Sequence, residues 1–194
     1  MYSFRNDYSE GAHPKVLQAL ADTNLRQTVG YGMDPCCQAA ADTIRRLCAA
    51  PDAAVHFLVG GTQVNLVTID AFLQSYEAVV AAQTGHVSTH ETGAIEATGH
   101  KVCTVESPDG KLTPALVESV LAGHNGTEHM VLPRMVYISD TTEIGTVYTR
   151  AELAALRQCC DVHGLFLYLD GARLGSALTS PDNDLTLPLS LIHI

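Results

Sequence analysis

At 194 residues the chain is long enough for one domain with a substantial buried core. Hydrophobic residues make up 46% of the sequence and charged residues 16%, which argues against an intrinsically disordered chain. The 21 acidic residues outnumber the 11 basic ones and give a formal net charge of −10. Nucleic acid or an anionic membrane is therefore an unfavourable main partner, because both require clustered lysine and arginine.

Helix and strand patterns alternate along the chain. Helices are predicted to begin at Pro14 and Pro35, because proline is favoured in the first helical turn. Further helices follow residues 61 and 113, and another follows Thr149, which forms a capping box with Glu152. Apolar runs predict strands over 54–59, 78–82, 101–105, 135–139 and 165–169. Strands separated by such helices predict a three-layer α/β/α fold with a mostly parallel sheet.

The strand over 165–169 is the most continuous apolar run, which is typical of a central strand covered on both faces. It ends at Asp170, and Arg173 follows three residues later. Ligands of open α/β sheets bind at the carboxyl ends of the strands, and an acid there is costly unless it is paired. An aspartate with a nearby arginine suits a ligand that has a protonated ring nitrogen and a negative group, as pyridoxal phosphate (PLP) does.

The turn Gly60-Gly61-Thr62 lies between a predicted strand and a predicted helix. Glycines there let backbone amides approach a phosphate, and the Thr62 hydroxyl can donate one more hydrogen bond. Short glycine-rich turns also occur without a ligand, so the motif indicates either a phosphate site or a plain tight turn.

His86 follows the strand over 78–82 at its carboxyl end. With His90 and Glu91 it resembles a helical metal-binding pair, but the H-E-x-x-H order and a third ligand are missing. Its imidazole could instead stack on a ligand ring, or the segment could simply be a polar helix start. We expect no metal site here.

Asp140, Thr142 and Glu143 follow the strand over 135–139 at the same predicted edge. They could bind a ligand or form a polar loop, and the sequence favours neither.

Together these motifs resemble one enzyme family. From Phe4 to about Leu187 the chain is similar to the threonine aldolase and β-eliminating lyase family of fold type I PLP-dependent enzymes. The motifs that carry the resemblance, in the family's order, are Gly60-Gly61-Thr62-Gln63, His86 with Glu91-Thr92-Gly93-Ala94, and Asp170-Gly171-Ala172-Arg173. The last motif is fairly specific, whereas the glycine turn alone is weak.

The resemblance implies a role for each residue. Gly61 and Thr62 would bind the phosphate, and His86 would stack on the pyridine ring. Asp170 would pair with the ring nitrogen and keep it protonated, and Arg173 would bind the substrate carboxylate or the phosphate region. The catalytic base would be His86 or a bound water.

Two family features differ in this sequence. Asn6 replaces a serine that contacts the substrate carboxylate in the family. The family's Schiff-base lysine follows the Asp-Gly-Ala-Arg motif by a few tens of residues, whereas the lysines here are Lys15, Lys101 and Lys111. We therefore expect an amino-terminal arm over 1–13, an incomplete PLP-binding large domain over 14–187, an atypical tail over 188–194, and little or no activity alone.

The resemblance implies a lyase that cleaves a β-hydroxy amino acid to glycine and an aldehyde, as a homodimer or homotetramer. β-Elimination or transamination with the same cofactor, and a non-catalytic domain that binds a phosphorylated ligand, are the alternatives.

The sequence gives no sign of secretion or membrane insertion. Its first residues lack an apolar core, and no apolar run approaches the ~20 residues that cross a bilayer. The six cysteines have no CxxC spacing, so we expect reduced, mostly buried thiols in a cytoplasmic protein.

Overall fold

A computed structural model of the protein describes residue 3 and residues 5–124 and 126–190. Phe4 and the last four residues of the predicted tail lie outside the described residues. The chain divides into two compact units, Met1–Ala41 and Asp42–Ile194. The first unit holds α1 (Pro14–Thr23) and the beginning of α2 (Pro35–Leu47), so both helices start at the predicted prolines.

The second unit is built on a sheet in which all the strand pairs are parallel. The strands are β1 (Glu77–Ala82), β2 (Lys101–Val105), β3 (Leu132–Ser139) and β4 (Phe166–Asp170). Their order is β2-β1-β3-β4, so the chain crosses over between successive parallel strands. The helices of this unit are α3 (Gly61–Phe72), α4 (His86–Thr89), α5 (Ala94–Ala97), α6 (Pro114–Ala122), α7 (Arg150–His163), α8 (Leu174–Thr179) and α9 (Leu187–Ser190).

Side chains that alternate along β1 separate the two hydrophobic clusters of the unit. Val79 and Ala81 pack in one cluster with Ile69 of α3, and Val80 packs in the other with Leu156 of α7. Alternation of this kind places helices on both faces of the sheet. The predicted three-layer, mostly parallel fold is confirmed.

The start of α7 is determined by a sequence signal that lies within one helical turn. Thr149 Oγ1 accepts a hydrogen bond from the Glu152 backbone amide, and Glu152 Oε2 accepts one from the Thr149 amide. The predicted capping box is therefore present. Lys111 Nζ lies 2.6 Å from the other carboxylate oxygen of Glu152.

The strand predicted over 54–59 is wrong. These residues form no strand and most of them are exposed. A strand needs a neighbour for its backbone hydrogen bonds, and the described sheet does not pair with this segment. An apolar run indicates that a segment can be buried, but it does not show which strand the segment would pair with.

The predicted central position of the strand over 165–169 is also wrong. In the described sheet β4 lies at an edge, next to β3 alone, and Phe166 remains 37% exposed. The fully buried strand is β1, whose apolar run over 78–82 has the same length as the run over 165–169. Strand order depends on crossover connections, which the composition of a single strand does not encode.

All six cysteines are free thiols, but only Cys103, Cys159 and Cys160 are buried. The expectation of mostly buried thiols therefore holds for half of them. Among the described residues, no helix is both long enough and apolar enough to cross a bilayer. The predicted tail over 188–194 begins inside α9, where Ser190 is buried.

Candidate active site

Three neighbouring strands deliver polar residues to the same edge of the sheet. His86 begins α4 just after β1, Glu143 follows β3, and Asp170 is the last residue of β4. The turn before His86 is tight, because a Cβ at Gly85 would lie 3.0 Å from the Ala82 carbonyl oxygen. Since parallel strands end at one edge, these side chains converge there.

A cavity at this edge contains four of the residues that the sequence predicted. It is lined by Gly61, His86, Asp170 and Arg173, together with Asn65 and Glu143. The motifs that lie far apart in sequence therefore meet at one place. Thr62 occupies the first turn of α3 and is exposed, but it does not line this cavity.

Asp170 is held by three hydrogen-bond donors. Its Oδ2 accepts bonds from Tyr137 Oη at 2.7 Å and from Asn65 Nδ2 at 3.1 Å, and its Oδ1 accepts one from the Ala172 amide at 3.0 Å. Burial and the adjacent negative charge of Asp170 raise the pKa of Tyr137, so its hydroxyl remains a donor. The carboxylate is thus fixed in place at the cavity wall.

Glu91 lies behind His86 and orients its ring. Glu91 Oε1 is 2.8 Å from His86 Nδ1 and 2.5 Å from Asn65 Nδ2. The Glu91 side chain is fully buried, whereas about a third of the His86 side chain is exposed. A buried carboxylate requires partners. Here the imidazole and the amide both contact Oε1, whereas Oε2 has no hydrogen-bond partner among the described residues. The contact directs the Nδ1 hydrogen to Glu91 and leaves the lone pair on Nε2.

Glu143 fixes the backbone of the same turn. Its Oε1 accepts hydrogen bonds from the His86 amide at 2.9 Å and from Ser139 Oγ at 2.7 Å. Glu143 thus joins the end of β3 to the start of α4 at the cavity.

Asp140 and Thr142 are structural, in contrast to Glu143. Asp140 is fully buried and accepts a hydrogen bond from the Tyr148 amide at 3.2 Å. Thr142 Oγ1 lies 2.7 Å from Thr146 Oγ1 within its own loop. Neither residue lines the cavity, whereas Glu143 does. The sequence left open whether these residues bind a ligand or form a polar loop. The polar loop fits Asp140 and Thr142, and the ligand site fits Glu143.

The metal interpretation of His86, His90 and Glu91 has no support in the geometry. The rings of His86 and His90 meet edge to face at 5.5 Å, and Nδ1 of His86 is engaged by Glu91. Within the described ranges, these three residues do not bring their ligand atoms into one cluster.

The lysines of the second unit lie elsewhere. Lys111 contacts Glu152 and the Val147 carbonyl oxygen, and Lys101 opens β2 at the amino end of that strand. Neither residue lines the cavity. Lys15 and Asn6 belong to the first unit, where Asn6 Oδ1 accepts hydrogen bonds from Ser9 Oγ and the Tyr8 amide. The substrate contact predicted for Asn6 stays a prediction.

Asn65 and Tyr137 are site residues that the sequence analysis missed. Asn65 stands one turn after Gly61 on the buried side of α3, and Tyr137 lies inside β3. For Asn65 the available signal was an asparagine within an apolar helical run, because a polar residue buried with such a run needs a polar partner.

Comparisons with known proteins found a matching family model and similar proteins. The sequence model of the beta-eliminating lyase family matches residues 4–188. A low specificity L-threonine aldolase from a Pseudomonas species is 37% identical over 176 residues, which are 90% of this chain and 50% of that protein. A Leishmania major threonine aldolase structure superposes with a TM-score of 0.96 at 57% identity, over 98% of this chain and 55% of that one. The chain thus spans about half the length of these relatives.

A more distant structure shows the breadth of the fold. An aspartate aminotransferase from Rhizobium meliloti gives a TM-score of 0.62 at 16% identity, over 84% of this chain and 41% of that protein. At this identity the likeness concerns the fold alone. The predicted fold, that of the large domain of fold type I PLP-dependent enzymes, is confirmed.

Proposed function

Because the chain belongs to the beta-eliminating lyase family, we propose that it is part of a PLP-dependent lyase of the threonine aldolase type. The longer protein would cleave a β-hydroxy amino acid between Cα and Cβ to give glycine and an aldehyde. The observation that carries this proposal is the meeting of Gly61, His86 and Asp170 at one cavity. The threonine aldolases to which the chain is similar support the choice of reaction.

The residues around the cavity have the chemistry that PLP requires. A Cβ at Gly60 or Gly61 would meet no atom within 4 Å, so an anion has room to approach the backbone at the amino end of α3. Asp170 offers a fixed acceptor for a protonated ring nitrogen, and His86 offers an aromatic face. Arg173 adds a positive charge at the cavity wall for the phosphate or the substrate carboxylate.

When bound, PLP supplies a protonated ring that withdraws electrons from the substrate α-carbon. The proposed role of Asp170 is to keep the ring nitrogen protonated. Tyr137 and Asn65 keep the carboxylate oriented for this task, since both donate to its Oδ2. Orienting a charged group through fixed donors reduces the reorganisation needed during the reaction.

His86 is our proposed base for the β-hydroxyl proton. The Glu91 carboxylate accepts the Nδ1 hydrogen, so Nε2 is the ring nitrogen that can take a proton. Glu91 can also stabilise the imidazolium that forms, as a carboxylate behind a catalytic histidine does in other enzymes. A bound water remains the competing base.

We propose that residues outside this cavity complete the enzyme. The Schiff-base lysine would be supplied by the longer protein, and Asn6 would take part in binding the substrate carboxylate. A small amino acid would be the substrate, with no nucleic acid or membrane partner, in keeping with the net charge of −10. We further propose a homodimer or homotetramer in the cytoplasm, which suits six free thiols.

Product analysis of the longer protein tests the reaction type. With L-threonine and PLP, aldol cleavage gives equal amounts of glycine and acetaldehyde. β-Elimination would instead release ammonia and a keto acid, and transamination would need a keto-acid acceptor. A non-catalytic domain would bind a phosphorylated ligand without turnover. Absence of glycine from a protein that carries bound PLP would refute the aldolase assignment.

A further inference from the structure

We propose that Glu118, Cys159 and His163 form a binding site for a zinc-like divalent metal ion between α6 and α7. None of the three residues lines the candidate active site. Both helices pack on the face of the sheet opposite α3, since Val117 of α6 and Leu156 of α7 share one hydrophobic cluster and Ile69 belongs to the other. The proposal is therefore independent of the proposed lyase function.

The two helices bring three different ligand atoms together. Cys159 and His163 are four residues apart on α7, so their side chains lie on the same helical face. Glu118 reaches them from α6. One ligand atom from each residue lies within 4.8 Å of the other two, and no other such group occurs in the parts of the chain that the structure describes.

One separation within the group, an ion-pair distance, is also close to that of two ligands on one ion. His163 Nε2 and Glu118 Oε1 are 3.6 Å apart, which is longer than a normal hydrogen bond. Bonds of about 2.0–2.1 Å to a tetrahedral zinc ion would set a nitrogen and an oxygen ligand roughly 3.3 Å apart. A shift of a few tenths of an ångström would bring this pair to that spacing.

The donor set selects the class of metal. One sulfur, one nitrogen and one carboxylate oxygen suit Zn²⁺ and Co²⁺, whereas Mg²⁺ and Ca²⁺ prefer oxygen ligands alone. Three protein ligands leave the fourth tetrahedral position to water. Cys159 is only 7% exposed, while the side chains of Glu118 and His163 are 57% and 36% exposed. The ion can thus enter from solvent and meet a sulfur in the interior.

Metal binding should strengthen as pH rises, because the Cys159 thiol must lose its proton when the ion binds. Because the ion would bridge α6 and α7 only in the folded chain, binding should also stabilise the fold.

Cobalt titration of the untagged, reduced 194-residue chain tests the site. We expect one equivalent of Co²⁺ to produce thiolate-to-cobalt charge-transfer absorption, which Zn²⁺ then removes by displacement. Zinc at about one hundred times its Kd should raise the Tm by roughly 5–10 °C. Cys159→Ser should abolish the absorption band, whereas Cys36→Ser, at an exposed cysteine of the first unit, should leave it unchanged.

If Cys159→Ser perturbs folding, variants at the two exposed ligand residues test the metal site instead. Glu118→Gln keeps the size of its side chain, and His163→Asn removes the Nε2 atom. Each variant should weaken cobalt binding at least tenfold, the scale on which ligand-shell changes act. The proposal is overturned if no charge-transfer band appears, or if the folded Cys159→Ser variant keeps it. Wild-type affinity in both Glu118→Gln and His163→Asn would overturn it as well.

Discussion

Asn65 joins Asp170 to Glu91 through a single amide group. Its Nδ2 lies 3.1 Å from Asp170 Oδ2 and 2.5 Å from Glu91 Oε1, and its Oδ1 accepts a hydrogen bond from Tyr168 Oη at 2.6 Å. The two hydrogens on Nδ2 can serve both acids at once. An uncharged residue thus sets the spacing between the proposed partner of the ring nitrogen and the carboxylate that orients His86.

Replacement of Asn65 by alanine should destabilise the chain. Two carboxylates and one tyrosine hydroxyl would lose a partner, and Asn65 and Glu91 are buried. An unsatisfied buried polar group costs about 1–3 kcal/mol, so we expect the free energy of unfolding to fall by at least that amount. Urea denaturation followed by circular dichroism measures the change. Val67→Ala, on the exposed side of α3, is the matched control and should shift stability far less. Equal midpoints for the two variants would contradict this role.

Asp170→Asn should remove activity from the longer protein while leaving the fold intact. The amide keeps the shape of the side chain and can still accept from Tyr137, but it cannot hold a proton on a ring nitrogen by charge. Breaking a charge pair of this kind costs about 3–5 kcal/mol, which corresponds to a loss of over a hundredfold in rate. The measurement is kcat/KM for glycine formation. Asp182→Asn, at an exposed position, serves as the control. Full turnover in Asp170→Asn would rule out the pyridinium role.

The elements that the sequence predicted well carry their signals locally. Thr149 and Glu152 lie within one helical turn, and the capping box they form marks the start of α7 without reference to the rest of the chain. The strand over 101–105 was likewise predicted with its observed bounds. Gly61, His86 and Asp170, which line the cavity, could be predicted because short motifs contain them.

The features that were missed depend on contacts between distant segments. Whether 54–59 becomes a strand, and whether β4 is central, depends on which segment lies beside each of them. Asn65 could not be assigned to Asp170 for the same reason, since a helix does not indicate which strand end it will meet. Sequence patterns therefore predict the helices and strands and their apolar faces. Strand pairing, and the residues that hold the cavity-lining side chains in place, depend on the tertiary structure.

The 194-residue chain should show little or no threonine cleavage alone, even with added PLP. Lys111 Nζ is held by Glu152 at 2.6 Å, and Lys101 opens β2 at the amino end of the strand. Among the described residues, no lysine lines the cavity, whereas PLP chemistry needs a nucleophilic lysine there. Glycine release, measured beside the longer protein under the same conditions, tests the expectation. Cleavage at enzyme-like rates by the short chain would contradict it.

Asp140→Asn should stabilise the chain near neutral pH. Asp140 is fully buried, and burial raises the pKa of its carboxyl above the usual 3.8 although the Tyr148 amide donates to it. Between the unfolded and folded pKa values the folded state binds more protons than the unfolded state, so wild-type stability falls as pH rises through that window. An asparagine still accepts the Tyr148 hydrogen bond but carries no charge to bury.

The advantage of Asp140→Asn should therefore be absent below pH ~4, grow as the pH rises through the window, and stay constant at higher pH. Urea midpoints of the two proteins across pH 3–8 measure this difference. Asp182→Asn, an exposed aspartate of the same unit, should show no such pH-dependent gain. A stability difference between the two proteins that stays constant across pH 3–8 would contradict the raised pKa, because a cost of burying the new amide hydrogens does not change with pH.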